Sequence, residues 1–221
     1  MTALLCVYDL DKTITRRASW MAWLFHFART EAPARLLLAP LMLLPAIGYA
    51  AGLLDRCDLK QATHRIMMGR RVPRASVERA ADRFAASFGA ANELPGALKA
   101  LAADRAAGAT LLLATASSRY YAAALARRWG FDALVATENI WDGDWLTPRV
   151  AGENCYEMGK LRMLLAFLPA RAREVRFTSD HVSDLPTLLW ADVAIAANPS
   201  APLRLEATLR GWPICAWAKA G

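Results

Sequence analysis

Short apolar segments that alternate with helical ones constrain the fold of this 221-residue chain more than any other feature. Four apolar runs predict strands, at 3–8, 109–115, 174–179 and 191–196. Three helical patterns separate the later runs, at 95–108, 119–130 and 156–168. Because this alternation is typical of βαβ units, we predict an α/β fold built on a Rossmann-like parallel sheet.

Residues 15–92 interrupt the alternation, since they contain no convincing strand and look helical throughout. We therefore predict a core of residues 1–14 and 93–221 with an all-helical insert at 15–92. The insert has twelve Lys and Arg against five Asp and Glu, so it holds the whole net charge of +7. This basic excess indicates either an anionic partner or a solvated arginine-rich surface.

Polar side chains follow the predicted strands at the points where the strands end. Because the carboxyl ends of parallel strands meet at one edge of a sheet, we expect these side chains to lie together. They are Asp9, Asp11, Thr13, Thr115, Asp180 and Asp184, with Lys160 on the helix before the third strand.

This set of residue types indicates phosphoryl chemistry. Clustered carboxylates need a cation among them, and an oxygen-rich acidic site suits Mg²⁺. The Lys160 amine and the Thr115 hydroxyl are suited to hold phosphoryl oxygens. One carboxylate can attack phosphorus to give an aspartyl-phosphate, and another, two residues on, can move the proton. Ser117 either binds phosphate as well or caps the next helix.

The four patterns resemble, in order, the motifs of the haloacid dehalogenase (HAD) superfamily of phosphatases. DxDxT lies at residues 9–13, the hydroxyl residue is Thr115, the lysine is Lys160, and DxxxD lies at residues 180–184. Four ordered motifs, each in its expected place, are far more specific than one. Lys12 departs from the pattern, because glycine is frequent at that position in the family.

The resemblance implies a role for each matching residue. Asp9 would be the nucleophile, and Asp11 the general acid and base. The Mg²⁺ ligands would be Asp9, Asp180 and the backbone carbonyl of Asp11. The phosphoryl group would be bound by Thr115 and Lys160, with Thr13 and Asp184 in support.

The helical insert between the first two motifs resembles the cap domain of the phosphoserine phosphatase-like subgroup, subfamily IB. The family's serine-recognising acid has no counterpart here, because no acid precedes Glu31 after the first motif. The chain is also similar to C-type phosphatidylglycerophosphatases, which are bacterial inner-membrane enzymes. The shared features are an aromatic segment after DxDxT, a Leu/Pro-rich apolar run, and GENCYEMGK before the last motif.

The apolar run, residues 36–54, has no charge over 19 residues, which is the length of a membrane span. A single span would put Asp9 and Lys160 on opposite sides of the membrane, and Pro40 and Pro45 would interrupt its helix. Two interpretations remain. The run either dips into one leaflet with arginines on anionic headgroups, or forms a buried helix pair in the insert.

Together these features predict a Mg²⁺-dependent phosphomonoesterase acting on a lipid or amphiphilic phosphate such as phosphatidylglycerol phosphate. The alternatives are a phosphatase of a small soluble, phosphoserine-like metabolite and a non-catalytic membrane-binding module. An anionic membrane surface is a further candidate partner. A nucleic-acid partner is disfavoured because no readout motif is found, and no protein partner is indicated.

The sequence also bears on the compartment. The start, MTALLCVYD, lacks a basic n-region, and the four cysteines form no CxxC pair, so we expect reduced thiols. We therefore expect a cytoplasmic protein, peripheral on the inner face of the bacterial cytoplasmic membrane in the lipid-phosphate interpretation.

Overall fold

The structure is a computed structural model that describes residues 4–168 and 174–217. Its α-helices are α1 (Ser19–Glu31), α2 (Leu43–Ala50), α3 (Arg56–Met67), α4 (Arg74–Phe84), α5 (Ala90–Asn92), α6 (Pro95–Ala106), α7 (Arg119–Arg128), α8 (Met158–Phe167), α9 (Leu185–Trp190) and α10 (Ala201–Arg210). Its strands are β1 (Leu5–Tyr8), β2 (Val72–Pro73), β3 (Thr110–Ser118), β4 (Ala133–Asp142), β5 (Trp145–Ala151), β6 (Val175–Ser179), β7 (Val193–Ala197) and β8 (Ile214–Cys215). A 3-10 helix, Pro33–Met42, leads into α2, and a π-helical segment, Ala85–Gly89, joins α4 to α5.

The strands of the described ranges form one sheet in the order β2-β5-β4-β3-β1-β6-β7-β8. All neighbours from β4 to β8 in this order are parallel, and β5 is antiparallel to β4 and β2. Cys6 and Tyr8 of β1 pack into the core on one face of the sheet, and Leu5 and Val7 pack on the other. This alternation is the two-residue period of a strand buried on both faces. The predicted α/β fold is confirmed.

The elements predicted from the sequence appear as β1, β3, β6 and β7 and as α6, α7 and α8. The insert departs from the prediction in one respect, because Val72–Pro73 forms a short strand that pairs with Leu146 and Trp145 of β5. Pro73 has no backbone N–H, which suits its place on the edge of the sheet.

Aromatic side chains join the helices of residues 15–92 to the rest of the protein. The Trp23 ring on α1 stacks on Tyr121 of α7 with ring centroids 5.0 Å apart. The Phe84 ring on α4 meets Trp23 edge to face at 5.5 Å. All three side chains are fully buried, so they contribute both apolar burial and favourable ring geometry.

The long apolar run lies on the surface of the protein. Between Pro33 and Ala50 only Met42 and Pro45 are buried, and Leu37 and Leu53 are 84% and 80% exposed. The interpretation of this run as a buried helix pair is therefore wrong. The exposed large side chains, called the apolar surface below, are Leu37, Leu38, Leu41, Leu43, Leu44, Ile47, Tyr49 and Leu53.

Pro33–Ala50 also meets a length and composition criterion for a membrane span. It is 18 residues long with a mean hydropathy of 1.4, and 11% of it is buried. It is the one such segment in the part of the chain that the structure describes.

His64 of α3 is buried where the insert meets α7, with 1% of its surface exposed. Its Nδ1 lies 3.3 Å from the Tyr120 hydroxyl, and its Nε2 has no hydrogen-bond partner. Burial, with a smaller contribution from Arg35, lowers the pKa of His64 from 6.5 to about 3. The ring is therefore neutral at physiological pH.

This buried histidine predicts a pH-dependent stability. Between about pH 3 and 6.5 the unfolded chain binds a proton at His64 that the folded chain does not. The free energy of unfolding should therefore fall by about 1.4 kcal/mol per pH unit below pH 6.5 from this group. Urea denaturation from pH 7 to 5 should give a shallower fall for His64→Gln than for wild type. The exposed neighbour variant Arg65→Gln should keep the wild-type slope, and equal slopes for His64→Gln and wild type would contradict the assignment.

Candidate active site

The first site residue follows the central strand directly. The Asp9 N–H donates to the carbonyl of Thr178 in β6 at 2.9 Å, which fixes Asp9 at the carboxyl edge of the sheet. The chain then turns, with the Ile14 N–H bonded to the Leu10 carbonyl at 2.9 Å. Leu10 is fully buried, whereas Asp9 and Asp11 on either side of it line a cavity of about 190 Å³.

Lys12 adopts a left-handed backbone with φ 62° in this turn. Such a conformation is easy for glycine and costs an L-residue about 1 kcal/mol. This strain explains why glycine suits the position. The Asn198 side chain donates to the Lys12 carbonyl at 3.3 Å and helps to hold the turn.

Lys160 joins two carboxylates at the floor of the cavity. Its Nζ lies 2.7 Å from Asp9 Oδ1 and 2.7 Å from Asp184 Oδ2, and Ser179 donates to the same Asp184 oxygen at 2.7 Å. Burial alone would lower the pKa of Lys160, but Asp184 and Asp9 outweigh it and raise the pKa well above its usual range. Lys160 is therefore fully charged. Gly159 lets α8 begin here, because a Cβ would lie 2.4 Å from the Asn154 carbonyl oxygen.

Asp9 and Asp180 meet around Thr13, whose Oγ1 lies 3.4 Å from Asp9 Oδ2 and 3.4 Å from Asp180 Oδ1. Burial raises the pKa of Asp9, and repulsion by Asp184 and Asp180 adds to the rise against the attraction of Lys160. Burial and Asp184 likewise raise the pKa of Asp180, and Lys12 opposes them. Burial and neighbouring carboxylates thus disfavour the charged forms of both groups, in spite of Lys160 and Lys12.

The oxygen donors of Asp9, Asp180 and the Asp11 carbonyl are of the kind that a hard cation prefers, and such a cation would offset the repulsion between the carboxylates. Within residues 4–168 and 174–217, no group of three or more His, Cys, Asp or Glu side chains is arranged to hold a metal. A site with two carboxylates, a carbonyl and water needs no third side chain, and Mg²⁺ commonly binds in that way.

The Asp11 carboxylate is fixed by the start of α1, because the Ser19 N–H donates to Asp11 Oδ1 at 2.9 Å. Burial raises the pKa of Asp11, although the hydrogen bonds from Ser19 oppose the rise. A raised pKa brings a carboxyl group closer to the range in which it can both give and accept a proton.

The two predicted hydroxyl residues differ in position. Thr115 lines the cavity, and its Oγ1 accepts the Ser117 N–H at 3.0 Å. The structure does not bring Ser117 to the cavity: its Oγ lies 2.9 Å from Ser19 Oγ, beside Tyr121. The register of β3 against β4 is irregular between Thr115 and Ser118, and the Ser117 hydroxyl lies at the contact between α1 and α7.

Several residues that the sequence analysis did not assign to the site complete its surroundings. The Lys60 Nζ of α3 donates to the Ala116 carbonyl at 2.5 Å and to Asn154 Oδ1 at 3.1 Å, and so ties the insert to the sheet edge. Arg56, one turn earlier on α3, lines the cavity together with Tyr156. The i, i+4 spacing of Arg56 and Lys60 places both on one helix face. This i, i+4 spacing is the one feature of the sequence that could have indicated that Arg56 and Lys60 lie near the site.

Local hydrogen bonds also hold the starts of two helices near the site, α3 and a short 3-10 helix, Val182–Asp184. Asp55 caps α3 by accepting the Asp58 N–H at 2.7 Å, and Asp58 accepts the Asp55 N–H at 3.2 Å in return. His181 lines the cavity, and its Nδ1 accepts the Ser183 N–H at 3.2 Å.

Two known proteins that are similar to this chain are named as phosphatases. The chain is 29% identical over 122 residues to a protein of Mycobacterium tuberculosis named "Probable phosphatase", with 54% of this chain and 42% of that protein covered. It is 35% identical over 113 residues to a phosphoserine phosphatase of the same organism, with 49% and 36% covered. The chain thus spans less than half the length of these relatives.

A crystal structure of a Bordetella pertussis protein of unknown function superimposes over almost the whole chain. Its TM-score is 0.85 at 25% sequence identity, with 98% of this chain and 100% of that chain covered. The family described as haloacid dehalogenase-like hydrolase matches residues 6–189, which include every predicted motif. The chain therefore belongs to the haloacid dehalogenase-like hydrolase family.

Proposed function

We propose that the protein is a phosphomonoester hydrolase that acts through an aspartyl-phosphate on Asp9. The observation that carries the proposal is the arrangement of Asp9 and Asp11 in one cavity, with the Lys160 amine 2.7 Å from Asp9 Oδ1. Membership of a hydrolase family and relatives named as phosphatases support a phosphatase.

The first step would form a bond from an Asp9 oxygen to phosphorus and break the bond from phosphorus to the leaving oxygen. Asp11 would give its proton to that oxygen, which leaves as an alcohol. Asp11 would then take a proton from water as the water oxygen bonds phosphorus, and the bond to Asp9 would break. Inorganic phosphate leaves, and both carboxyl groups return to their starting states.

The remaining residues would bind and orient. The Lys160 ammonium and the Thr115 hydroxyl would donate to phosphoryl oxygens. The Thr115 Oγ1 accepts from the Ser117 N–H, so its own proton would remain free to donate. Asp184 and Ser179 would hold Lys160 in place. Mg²⁺, held by Asp9, Asp180 and the Asp11 carbonyl, would supply neutralisation of phosphoryl charge when bound.

The apolar surface supports a lipid or amphiphilic substrate, such as phosphatidylglycerol phosphate, taken from an anionic membrane. Exposed large apolar side chains in one continuous segment mark an interaction site. The segment is followed, after Asp55, by Arg56, which lines the cavity. Arg16 and Arg17 are exposed, and they directly precede Ala18, which lines the same cavity. Basic residues beside an apolar insertion suit an anionic lipid surface. The protein would then be cytoplasmic and peripheral on the membrane.

A small soluble metabolite is the second candidate substrate. The relative named as a phosphoserine phosphatase supports it. Arg16 and Arg17 stand after the first motif with no acid before Glu31, which leaves an amino group without an evident partner there. Comparing hydrolysis of phosphatidylglycerol phosphate in micelles with hydrolysis of phosphoserine separates the two candidates.

The mechanism predicts that Asp9→Asn reduces phosphate release from p-nitrophenyl phosphate by more than about 10³-fold, because the amide is a far poorer nucleophile. The matched control is Asp144→Asn in the exposed β4–β5 turn, which should keep full activity. Circular dichroism checks that both variants are folded. Undiminished turnover by Asp9→Asn would exclude the aspartyl-phosphate, and no turnover by wild type would favour a non-catalytic membrane-binding module.

The carboxylates of Asp9 and Asp180 predict a requirement for a divalent cation. Treatment with EDTA should abolish p-nitrophenyl phosphate hydrolysis, and adding Mg²⁺ back should restore it, because burial and neighbouring carboxylates disfavour the charged forms of Asp9 and Asp180 when no cation is bound. Asp180→Asn should raise the Mg²⁺ concentration needed for half-maximal activity. Hydrolysis that survives complete chelation would contradict this requirement.

The apolar surface predicts binding to vesicles of phosphatidylcholine and phosphatidylglycerol in equal parts. Wild type should float with the vesicles, and the double variant Leu37→Glu/Leu44→Glu should stay in solution. The control is Leu205→Glu/Leu209→Glu on α10, where the leucines are also exposed, at 61% and 73%. Wild type that stays in solution, or two double variants that behave alike, would argue against membrane docking by this surface.

A further inference from the structure

The left-handed turn at Lys12 is held by hydrogen bonds at both ends of that residue. The Lys12 N–H donates to Thr15 Oγ1 at 3.4 Å, and the Lys12 carbonyl accepts from Asn198 Nδ2 at 3.3 Å. Thr15 is three residues away, whereas Asn198 follows β7 and is 186 residues away in the chain. Asn198 therefore ties the turn to a distant part of the protein.

Asn198 is joined in turn to the segment after β8. Its Oδ1 accepts the Trp217 N–H at 2.7 Å, and its own N–H donates to the Cys215 carbonyl at 2.8 Å. Because the Trp217 N–H can only donate, the amide oxygen lies on the Trp217 side and the amide nitrogen faces Lys12. Asn198 itself has φ 48°, a left-handed conformation that asparagine tolerates better than most residues.

Packing holds Trp217 where it meets Asn198. Its ring lies beside Tyr8 at the end of β1, with ring centroids 6.2 Å apart. On α6, a Cβ at Gly96 would lie 2.8 Å from the Trp217 Cα, so only glycine allows this close approach. The Gly96 N–H also points to the Trp217 carbonyl at 3.4 Å. The C-terminal segment is thus fixed against the core next to the turn.

The direction of the Asp11 carbonyl depends on the conformation of Lys12. That carbonyl belongs to the planar peptide group that ends at the Lys12 nitrogen, so rotation about φ of Lys12 turns it relative to the rest of the turn. An L-residue other than glycine favours negative φ unless its surroundings hold it otherwise. The hydrogen bond from Asn198 opposes such a relaxation at Lys12, where φ is 62°.

We propose that Asn198, braced by Trp217, is a positioning residue that holds the Lys12 turn and so directs the Asp11 carbonyl toward a divalent cation. This inference rests on the proposed function, in which that carbonyl is a metal ligand. Asn198 acts through Lys12 and touches neither the cation nor the phosphoryl group. Its loss therefore weakens cation binding more than it slows turnover once the cation is saturating.

Mg²⁺ binding by Asn198→Gly tests the inference, because glycine keeps the left-handed backbone and removes only the side chain. Calorimetry with Mg²⁺ alone should give a dissociation constant about 3- to 10-fold above that of wild type. Turnover of p-nitrophenyl phosphate at saturating Mg²⁺ should stay near the wild-type rate. Asn198→Asp keeps an acceptor for the Trp217 N–H and loses the donor to Lys12, so it should also weaken Mg²⁺ binding.

Two further measurements separate positioning from a general loss of stability. In the metal-free chain, backbone amides of residues 10–15 should exchange hydrogen faster in Asn198→Gly than in wild type. In a Lys12→Gly background, Asn198→Gly should change Mg²⁺ binding much less, because glycine adopts a positive φ without being held. Circular dichroism checks that each variant is folded.

The matched controls are two half-buried tryptophans near the C-terminus. Trp217 packs on the face of the sheet that carries Tyr8, and Trp212 packs on the opposite face. Trp217→Ala should weaken Mg²⁺ binding, whereas Trp212→Ala should leave it unchanged even if it lowers the melting temperature.

The inference is overturned if Asn198→Gly binds Mg²⁺ as wild type does, or if the two tryptophan variants behave alike. It is also overturned if Asn198→Gly lowers turnover at saturating Mg²⁺ without changing the dissociation constant. Failure of wild type to hydrolyse p-nitrophenyl phosphate would instead reject the proposed function. Mg²⁺ binding and amide exchange, which need no turnover, would still decide whether Asn198 positions the turn.

Discussion

The contact of Lys160 with Asp9 and Asp184 is the constraint on which the site depends. These three charged groups are buried, and buried charges are tolerated only when they are paired. Losing one partner of such a cluster costs about 3–5 kcal/mol, because the other charges remain buried without compensation. The ends of β1 and β6 and the first turn of α8 therefore have to meet, and the cavity between them follows from that meeting.

The insert is bonded to this sheet edge at two places that differ in chemistry. Ser19 at the start of α1 donates to the Asp11 carboxylate, and Lys60 of α3 donates to the Ala116 carbonyl. The first contact restricts a carboxyl group that we assign to proton transfer, and the second positions the helix that carries Arg56. The insert thus takes part in orienting the site as well as in covering it.

The sequence was sufficient to predict the parallel centre of the sheet and the polar side chains at its carboxyl edge, because residues after parallel strands must meet at one edge. Asp9, Thr115 and Asp180 were predicted to be neighbours on that ground alone. Ser117 could not be placed, since its direction depends on the hydrogen bond between its N–H and the Thr115 hydroxyl. Lys60 was missed because its partners, Ala116 and Asn154, are distant in the chain. Hydropathy also could not separate a buried from an exposed apolar run, since both have the same composition.

The reciprocal cap between Asp55 and Asp58 has a consequence for how such a chain can evolve. A helix whose first N–H groups are satisfied by its own side chains does not depend on the segment before it for its start or its register. The exposed run, residues 36–54, can therefore be exchanged or shortened while α3 keeps its own start. The apolar run would then be a replaceable segment, and a lineage could change this exposed surface while the start of α3 is kept.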